Sequence, residues 1–398
     1  MDTADFRKQF PGAAEQIYMD AAARGLMPAR TRDALHAYLD GRVSGFVDKA
    51  AMFAQIESLR SRFAEFIGAG AAEVALTKNV SEGLNAIVAA YPWRAGDSVV
   101  FCPDLEHPNN VYPWRNLAQR HGVRLVTIPA VDGQIDADQV IDAIDATTRM
   151  VSVSTVTFAP GLVTPVGAIG AACRERDVLL LADAVQSVGL LDTDVDALGI
   201  DALAVSTQKG LLALYGLGFL YCRAAWAERL EPAYLARFSV DLGDAHEAAT
   251  GGDDYRLASG ARRFEIGNYN FAGAVAAEAS LRLLQQLSGS AVETQVRRLS
   301  AKLATGFSEL GLPLIGPPEG AARGIIVCVG ALGNGGHDSV DDPRLTSLAQ
   351  HLQAGGACFS IRRGLLRFSL HAYNHDEDVN AVLDLAREWT RREGADAA

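Results

Sequence analysis

Six short apolar runs punctuate the middle of the chain: residues 98–102 (SVVFC), 123–129 (VRLVTIP), 150–157 (MVSVSTVT), 178–182 (VLLLA), 202–206 (ALAVS) and 218–222 (GFLYC). Hydrophobicity within them is continuous rather than alternating, which is the pattern of strands covered on both faces. The intervening stretches 109–121, 136–144, 166–176 and 185–191 read as helices. Strand and helix therefore alternate, and the fold class predicted is α/β, with a mainly parallel sheet sandwiched by helices. Ligands of such sheets sit beyond the carboxyl ends of the strands.

The flanks carry a different pattern. Residues 31–67 read as two helices, with Phe53, Ile56, Leu59, Phe63 and Phe66 near helical spacing. A long helical stretch over 272–310 is interrupted at residues 288–290. Beyond it come strand-like 324–329, a helix over 345–353, strands 357–361 and 365–370, and an amphipathic helix over 376–391, which together predict a small α+β unit. The division expected is an N-terminal segment, 1–30, completing the small domain and the active-site mouth. A large ligand-binding domain over 31–285 and a small C-terminal domain over 286–398 follow it.

Composition narrows the function. With 36 Lys and Arg against 48 Asp and Glu, the formal net charge is −12. No basic block occurs, so neither nucleic acid nor an anionic membrane is expected as a partner. No window reaches the roughly 20 apolar residues needed to span a bilayer. The N-terminal MDTADFRKQF has no apolar core of a secretory signal. Cys102, Cys173, Cys222, Cys328 and Cys358 are scattered and form no CxxC pair, which fits reduced core thiols in a cytoplasmic protein. The eight His residues show no HxxxH or HExxH spacing, so no metal site is expected. Chemistry on a small molecule is the expectation that survives.

The segment 179–209 is the most informative. Asp183 and Lys209 each lie just past the end of a predicted buried strand. A lone strand-end lysine is ordinary, but an amine beside a carboxylate is the pair a pyridoxal phosphate enzyme needs, one to form the Schiff base and one to keep the pyridine nitrogen protonated. Gln186, placed one turn into the following helix, is a candidate for the phenolic oxygen, or else caps its own backbone. Ser206 and Gln208 flank the lysine within reach of a phosphate. In TKNVSEGLN, residues 77–85, Asn79 or Ser81 is positioned to cap a helix whose N-terminus suits an anion. In EHPNNVYPW, residues 106–114, His107 is a candidate to lie against an aromatic ring, or else is a solvated loop histidine.

These blocks resemble, in order, the class V aminotransferase family of fold-type I pyridoxal phosphate enzymes, which includes cysteine desulfurases and isopenicillin N epimerase-like proteins. The similarity runs from YMDAAARG at Tyr18 through PGLVTPVGAI, ADAVQSVG, STQKG and RRFEIGNYN to RFSLHAYNHDED ending at Asp378. The resemblance implies a seven-stranded-type sheet with a smaller C-terminal α+β domain, and pyridoxal 5'-phosphate as cofactor. It implies that Lys209 bonds the cofactor and moves the Cα proton, that Asp183 pairs with the pyridinium and that His107 stacks on the ring. Gln186 would meet the phenolic oxygen, while Val80, Ser81, Ser206 and Gln208 would form the phosphate cup. Asn268 would reach the neighbouring subunit's phosphate, which implies a homodimer with active sites at the interface. Arg367 would clamp the substrate carboxylate, with Arg24 near the mouth.

Three departures stand out. Gln208 precedes the lysine where many relatives have His. The family's cofactor-contacting Asn is absent, with Thr157 and Phe158 in its neighbourhood. The stretch 361–366 reads IRRGLL, whereas desulfurases place a nucleophilic Cys in a flexible loop there. The expected activity is transamination of a small amino acid through Lys209. The alternatives are carbon–sulfur lyase or desulfurase-like chemistry, epimerisation, or a non-catalytic protein that keeps the cofactor. A nicotinamide dehydrogenase is unsupported, because no GxGxxG follows the early strands.

Overall fold

The computed structural model describes residues 1–46, 48–243, 255–333 and 338–396. Part of the 330–343 loop thus lies outside the described residues. A seven-stranded sheet organises the chain, in the order Val74–Thr77, Gly218–Cys222, Ala202–Ser206, Leu179–Asp183, Thr148–Ser154, Ser98–Phe101, Arg124–Thr127. The strand Gly218–Cys222 runs against both neighbours, and the remaining pairings are parallel. Every residue of the four strands Val74–Thr77, Leu179–Asp183, Ala202–Ser206 and Gly218–Cys222 is buried, which explains their unbroken apolar runs.

Helices cover both faces. On one, Ile56, Leu59 and Phe63 of helix Lys49–Phe66 pack on the sheet, with Phe63 stacked on Phe219 at 3.9 Å between ring centroids. On the other lie Leu84 and Ile87 of helix Val80–Ala90, together with Trp114 and Trp226. A third core, containing Phe307, Phe368 and Trp389, joins helices Gly289–Glu309 and Asp376–Asp396 to an antiparallel sheet ordered Ile326–Val329, Leu365–Ser369, Ser360–Arg362. The N-terminal pair Ile17–Tyr18 joins this C-terminal region, pairing in parallel with Ala357–Cys358. Among the described residues, no helix is long and apolar enough to cross a membrane.

The structure differs from the sequence expectation in three places. Residues 185–191 form turns rather than a helix. Gly189 has φ +91° and lies so close to Gly210 that a Cβ there would come within 2.4 Å of its carbonyl oxygen. The chain must turn tightly to pass, so Gln186 stands on a turn and not one turn into a helix. Strand Val74–Thr77 has no counterpart among the expected runs, being only four residues long beside an alanine-rich stretch. The expected strand 357–361 is two short ones that join different sheets.

Candidate active site

Parallel strands deliver their carboxyl ends to one edge, and there the polar side chains gather. Asp183 closes strand Leu179–Asp183, and Lys209 lies three residues beyond Ala202–Ser206. Helix Val80–Ala90 starts beside them, and the loop after Ser98–Phe101 brings His107. These elements enclose a cavity of about 430 Å³ whose lining includes Lys209, Asp183, Gln186, His107, Val80, Ser81, Ser206, Gln208, Arg24 and Arg367. Asn268 does not line it. It sits in a separate open groove of about 1450 Å³ with Phe53, Phe238 and Tyr269.

Burial sets the electrostatics. Lys209 is brought down to about 8 by desolvation, opposed by the charge of Asp183. Asp183 is itself raised by burial, opposed by the Val185 N–H donated to its Oδ1 at 3.0 Å and by Lys209. Beneath His107, Glu106 is fully enclosed and pushed up to about 7 by burial. It accepts from the Ser154 N–H at 2.6 Å and the Asn110 amide at 2.8 Å, tying the His107 loop to strand Thr148–Ser154. The His107 ring meets Phe158 edge-on at 5.2 Å.

At the helix start Asn79, rather than Ser81, is the cap, its side chain accepting from Glu82 N–H at 3.0 Å. Val80 N–H donates to Ser206 Oγ at 2.7 Å, and Asn109 donates to Ser81 Oγ at 2.6 Å. A helix N-terminus flanked by the side chains of Ser81, Ser206 and Asn109 is a suitable seat for a phosphate dianion. Across the cavity, Arg367 is 2% exposed. Its guanidinium donates to Phe158 O at 2.9 Å and Ser360 Oγ at 3.0 Å and lies 3.9 Å from Asp20 Oδ1. Desolvation brings Arg367 down to about 10.

The donor set fits pyridoxal 5'-phosphate. Lys209 would supply an amine for the aldehyde, Asp183 a buried carboxylate for the ring nitrogen, and the helix start a seat for the phosphate. Gln186 donates its amide N–H to Ala22 O at 3.1 Å, but its Oε1 is buried without a partner among the described residues, an acceptor that a ligand hydroxyl satisfies.

Several lining residues were not singled out from sequence, among them Asn109, Ser154 and Tyr215. Asn109 had a local signal, since it lies inside the EHPNN block; Tyr215 had none. Thr157 turns away, its Oγ1 accepting from the Gly161 and Leu162 N–H groups, and only Phe158 of that pair faces the cavity. No cysteine is among the lining residues. Strands Ser360–Arg362 and Leu365–Ser369 are joined by Arg363 and Gly364, at φ +55° and +78°, which makes a two-residue hairpin of the IRRGLL stretch. Cys358 is half-buried and raised by desolvation, and Cys328 is pushed to about 12.

The family model described as Aminotransferase class-V matches residues 17–382. A probable cysteine desulfurase of Methanothermobacter thermautotrophicus is 30% identical over 98% of this chain and 98% of its own. An uncharacterized aminotransferase, YcbU, of Bacillus subtilis is 27% identical over 95% of this chain and 96% of its own. The solved apo structure of a cysteine desulfurase from Thermococcus onnurineus NA1 is similar with a TM-score of 0.85 and 26% identity, covering 98% of both chains.

Proposed function

Because this chain belongs to the class V aminotransferase family, whose cofactor is pyridoxal 5'-phosphate, we propose that it is a carbon–sulfur lyase acting on a cysteine-type amino acid. The observation that carries this reading is the full-length similarity to proteins described as cysteine desulfurases. It moves the activity away from the transamination expected first and toward the carbon–sulfur alternative. The cysteine-free hairpin beside Arg367 adds a second point: sulfur leaves with the product instead of passing to a thiol of this chain.

In this reading Lys209, Asp183, Gln186, His107, Val80, Ser81, Ser206 and Gln208 hold the cofactor, and Arg367 takes the substrate carboxylate, with Arg24 at the mouth. When bound, the cofactor supplies the electron sink for the pair left at Cα. Burial, which brings Lys209 down to about 8, favours the neutral amine that accepts the Cα proton. The Cβ–S bond then breaks, and the sulfur departs with the bonding pair as a thiolate that takes up a proton. The organic fragment adds water and ends as a 2-keto acid and ammonia. Arg367 fixes the substrate so that the Cα proton faces Lys209, and its burial keeps water from competing for the guanidinium.

A homodimer with shared sites belongs to the same reading. It is supported by Asn268 standing outside its own cavity, on an open groove.

The experiment is a substrate panel of L-cystine, L-cysteine, and L-alanine with 2-oxoglutarate, scored for pyruvate, sulfide or persulfide, and Cα deuterium exchange. Pyruvate with reduced sulfur is expected. Amino-group exchange from alanine with no sulfur released would replace the reading with transamination, and exchange without net product would replace it with epimerisation.

A further inference from the structure

His371 is buried and takes no part in the chemistry above, yet both ring nitrogens are engaged. Ala372 N–H donates to Nδ1 at 2.8 Å, so that nitrogen carries no proton. The ring proton is therefore on Nε2, which faces the carbonyl oxygen of Gly210 at 3.0 Å. The ring stacks on Tyr373 at 4.9 Å and 7° and lies nearly parallel to Phe6 at 6.3 Å. The backbone N–H of His371 is held by Asn374 Oδ1 at 2.9 Å. The ring is thus fixed in plane, tautomer and direction.

Gly210 follows Lys209, and each carbonyl of this turn has a donor. Gly25 N–H holds Gln208 O at 2.9 Å, Leu212 N–H holds Lys209 O at 3.0 Å, and Ser280 Oγ holds Leu211 O at 2.7 Å. His371 alone among these donors belongs to the segment that carries Arg367, four residues earlier on strand Leu365–Ser369. One hydrogen bond therefore links the backbone of the reactive amine to the backbone of the carboxylate clamp.

We propose that His371 is a positioning residue that, through Gly210, sets Lys209 at a fixed separation from Arg367. This rests on Lys209 being the reactive amine and not on which bond is cleaved. Burial holds the imidazole down to about 4, so it stays neutral and keeps the donating tautomer across the working pH range.

The test compares the holoenzyme with His371→Phe, which keeps an aromatic ring in the stack but has no donor, and His371→Gln, which keeps an N–H. Three quantities are read: cofactor capture by the apo chain from its visible band, Cα deuterium exchange with L-alanine, and the thermal midpoint. The exchange step is common to lyase, transaminase and epimerase, so its outcome is independent of the proposed carbon–sulfur cleavage.

His371→Phe is expected to slow both cofactor capture and saturated exchange by about tenfold or more, with KM changed less than about twofold. His371→Gln is expected to recover most of both rates without a higher thermal midpoint than the Phe variant. Wild-type rates in His371→Phe would overturn the proposal. So would His371→Gln performing no better than Phe, or losses of rate and KM that simply follow the thermal midpoint.

Discussion

Gly25→Ala perturbs the Lys209 turn from the opposite side and gives a magnitude from distances alone. Gly25 lies in the segment after Asp20, with its N–H on Gln208 O at 2.9 Å. A Cβ built there would lie 2.4 Å from Lys209 O and 2.5 Å from Leu212 Cδ2, whereas ordinary contact begins at 3.4 Å. The nearest obstacle is the Lys209 carbonyl oxygen, which is backbone, so a shift of the Leu212 side chain does not relieve the overlap. The Lys209 backbone must retreat by about 1 Å. Overpacking of this kind costs about 1–3 kcal/mol of stability, and a displacement of about 1 Å at a reacting group lowers turnover by about 10²-fold. Gly394→Ala is the control. Nothing lies within 4 Å of that position, in helix Asp376–Asp396, so it should leave turnover unchanged and add up to about 1 kcal/mol. Saturated Cα exchange and thermal denaturation of both variants are the assays. A folded Gly25→Ala enzyme turning over within about twofold of wild type would refute the claim that the Lys209 turn is held by close packing.

Three further outcomes follow from the same geometry. Cys358→Ala should retain release of reduced sulfur, because that thiol is not among the residues lining the cavity; loss of sulfur release with cofactor binding intact would restore a persulfide-carrying mechanism. In the cofactor-free chain, Asp183→Asn should shift the pH midpoint for labelling of Lys209 by formaldehyde and borohydride below about 8. The carboxylate raises the amine's pKa while burial lowers it, so removing the charge leaves desolvation unopposed, and an unchanged or higher midpoint counts against this. Arg60→Ala should cost about 3–5 kcal/mol in urea denaturation, since Arg60 and Glu265 pair at 2.6 Å with both side chains buried and the carboxylate would be left uncompensated; a loss under about 1 kcal/mol would show that Glu265 keeps its place through Leu76 and Tyr269 alone.

Much of the fold was legible because burial on both faces leaves a sequence signature. Strands Leu179–Asp183, Ala202–Ser206 and Gly218–Cys222 coincide with runs such as VLLLA and ALAVS, whose brevity and continuous apolar character fit a strand buried on both faces. What misled was local propensity without tertiary context. Residues 185–191 have helix-compatible composition, but the approach of Gly189 to Gly210 decides their path, and that contact joins residues 21 positions apart. Strand Val74–Thr77 exists because Gly218–Cys222 offers it an antiparallel partner, a pairing across more than a hundred residues with no trace in four residues of sequence.

The candidate site divides along the same line. Asp183, Lys209 and His107 were readable because parallel topology sends strand ends to one edge, so position in the pattern predicted position in space, and Ser81 because it stands at the start of a helix-like stretch. The groups that aim them were not. Glu106 reaches Ser154 across 48 residues, Gly25 reaches Gln208, and His371 reaches Gly210 across 161. Each is an ordinary residue type whose role depends on which backbone group the fold places opposite it. Two of the three come from the chain's ends, residues 20–26 and 365–374, which meet where Ser369 Oγ accepts from Ala22 N–H at 2.8 Å. The central sheet positions Asp183 and Lys209 and the two end segments bond the turn beside them, so substitutions at Gly25 and His371 should alter rate from sites far in sequence from Lys209 without removing a residue proposed to hold cofactor or substrate.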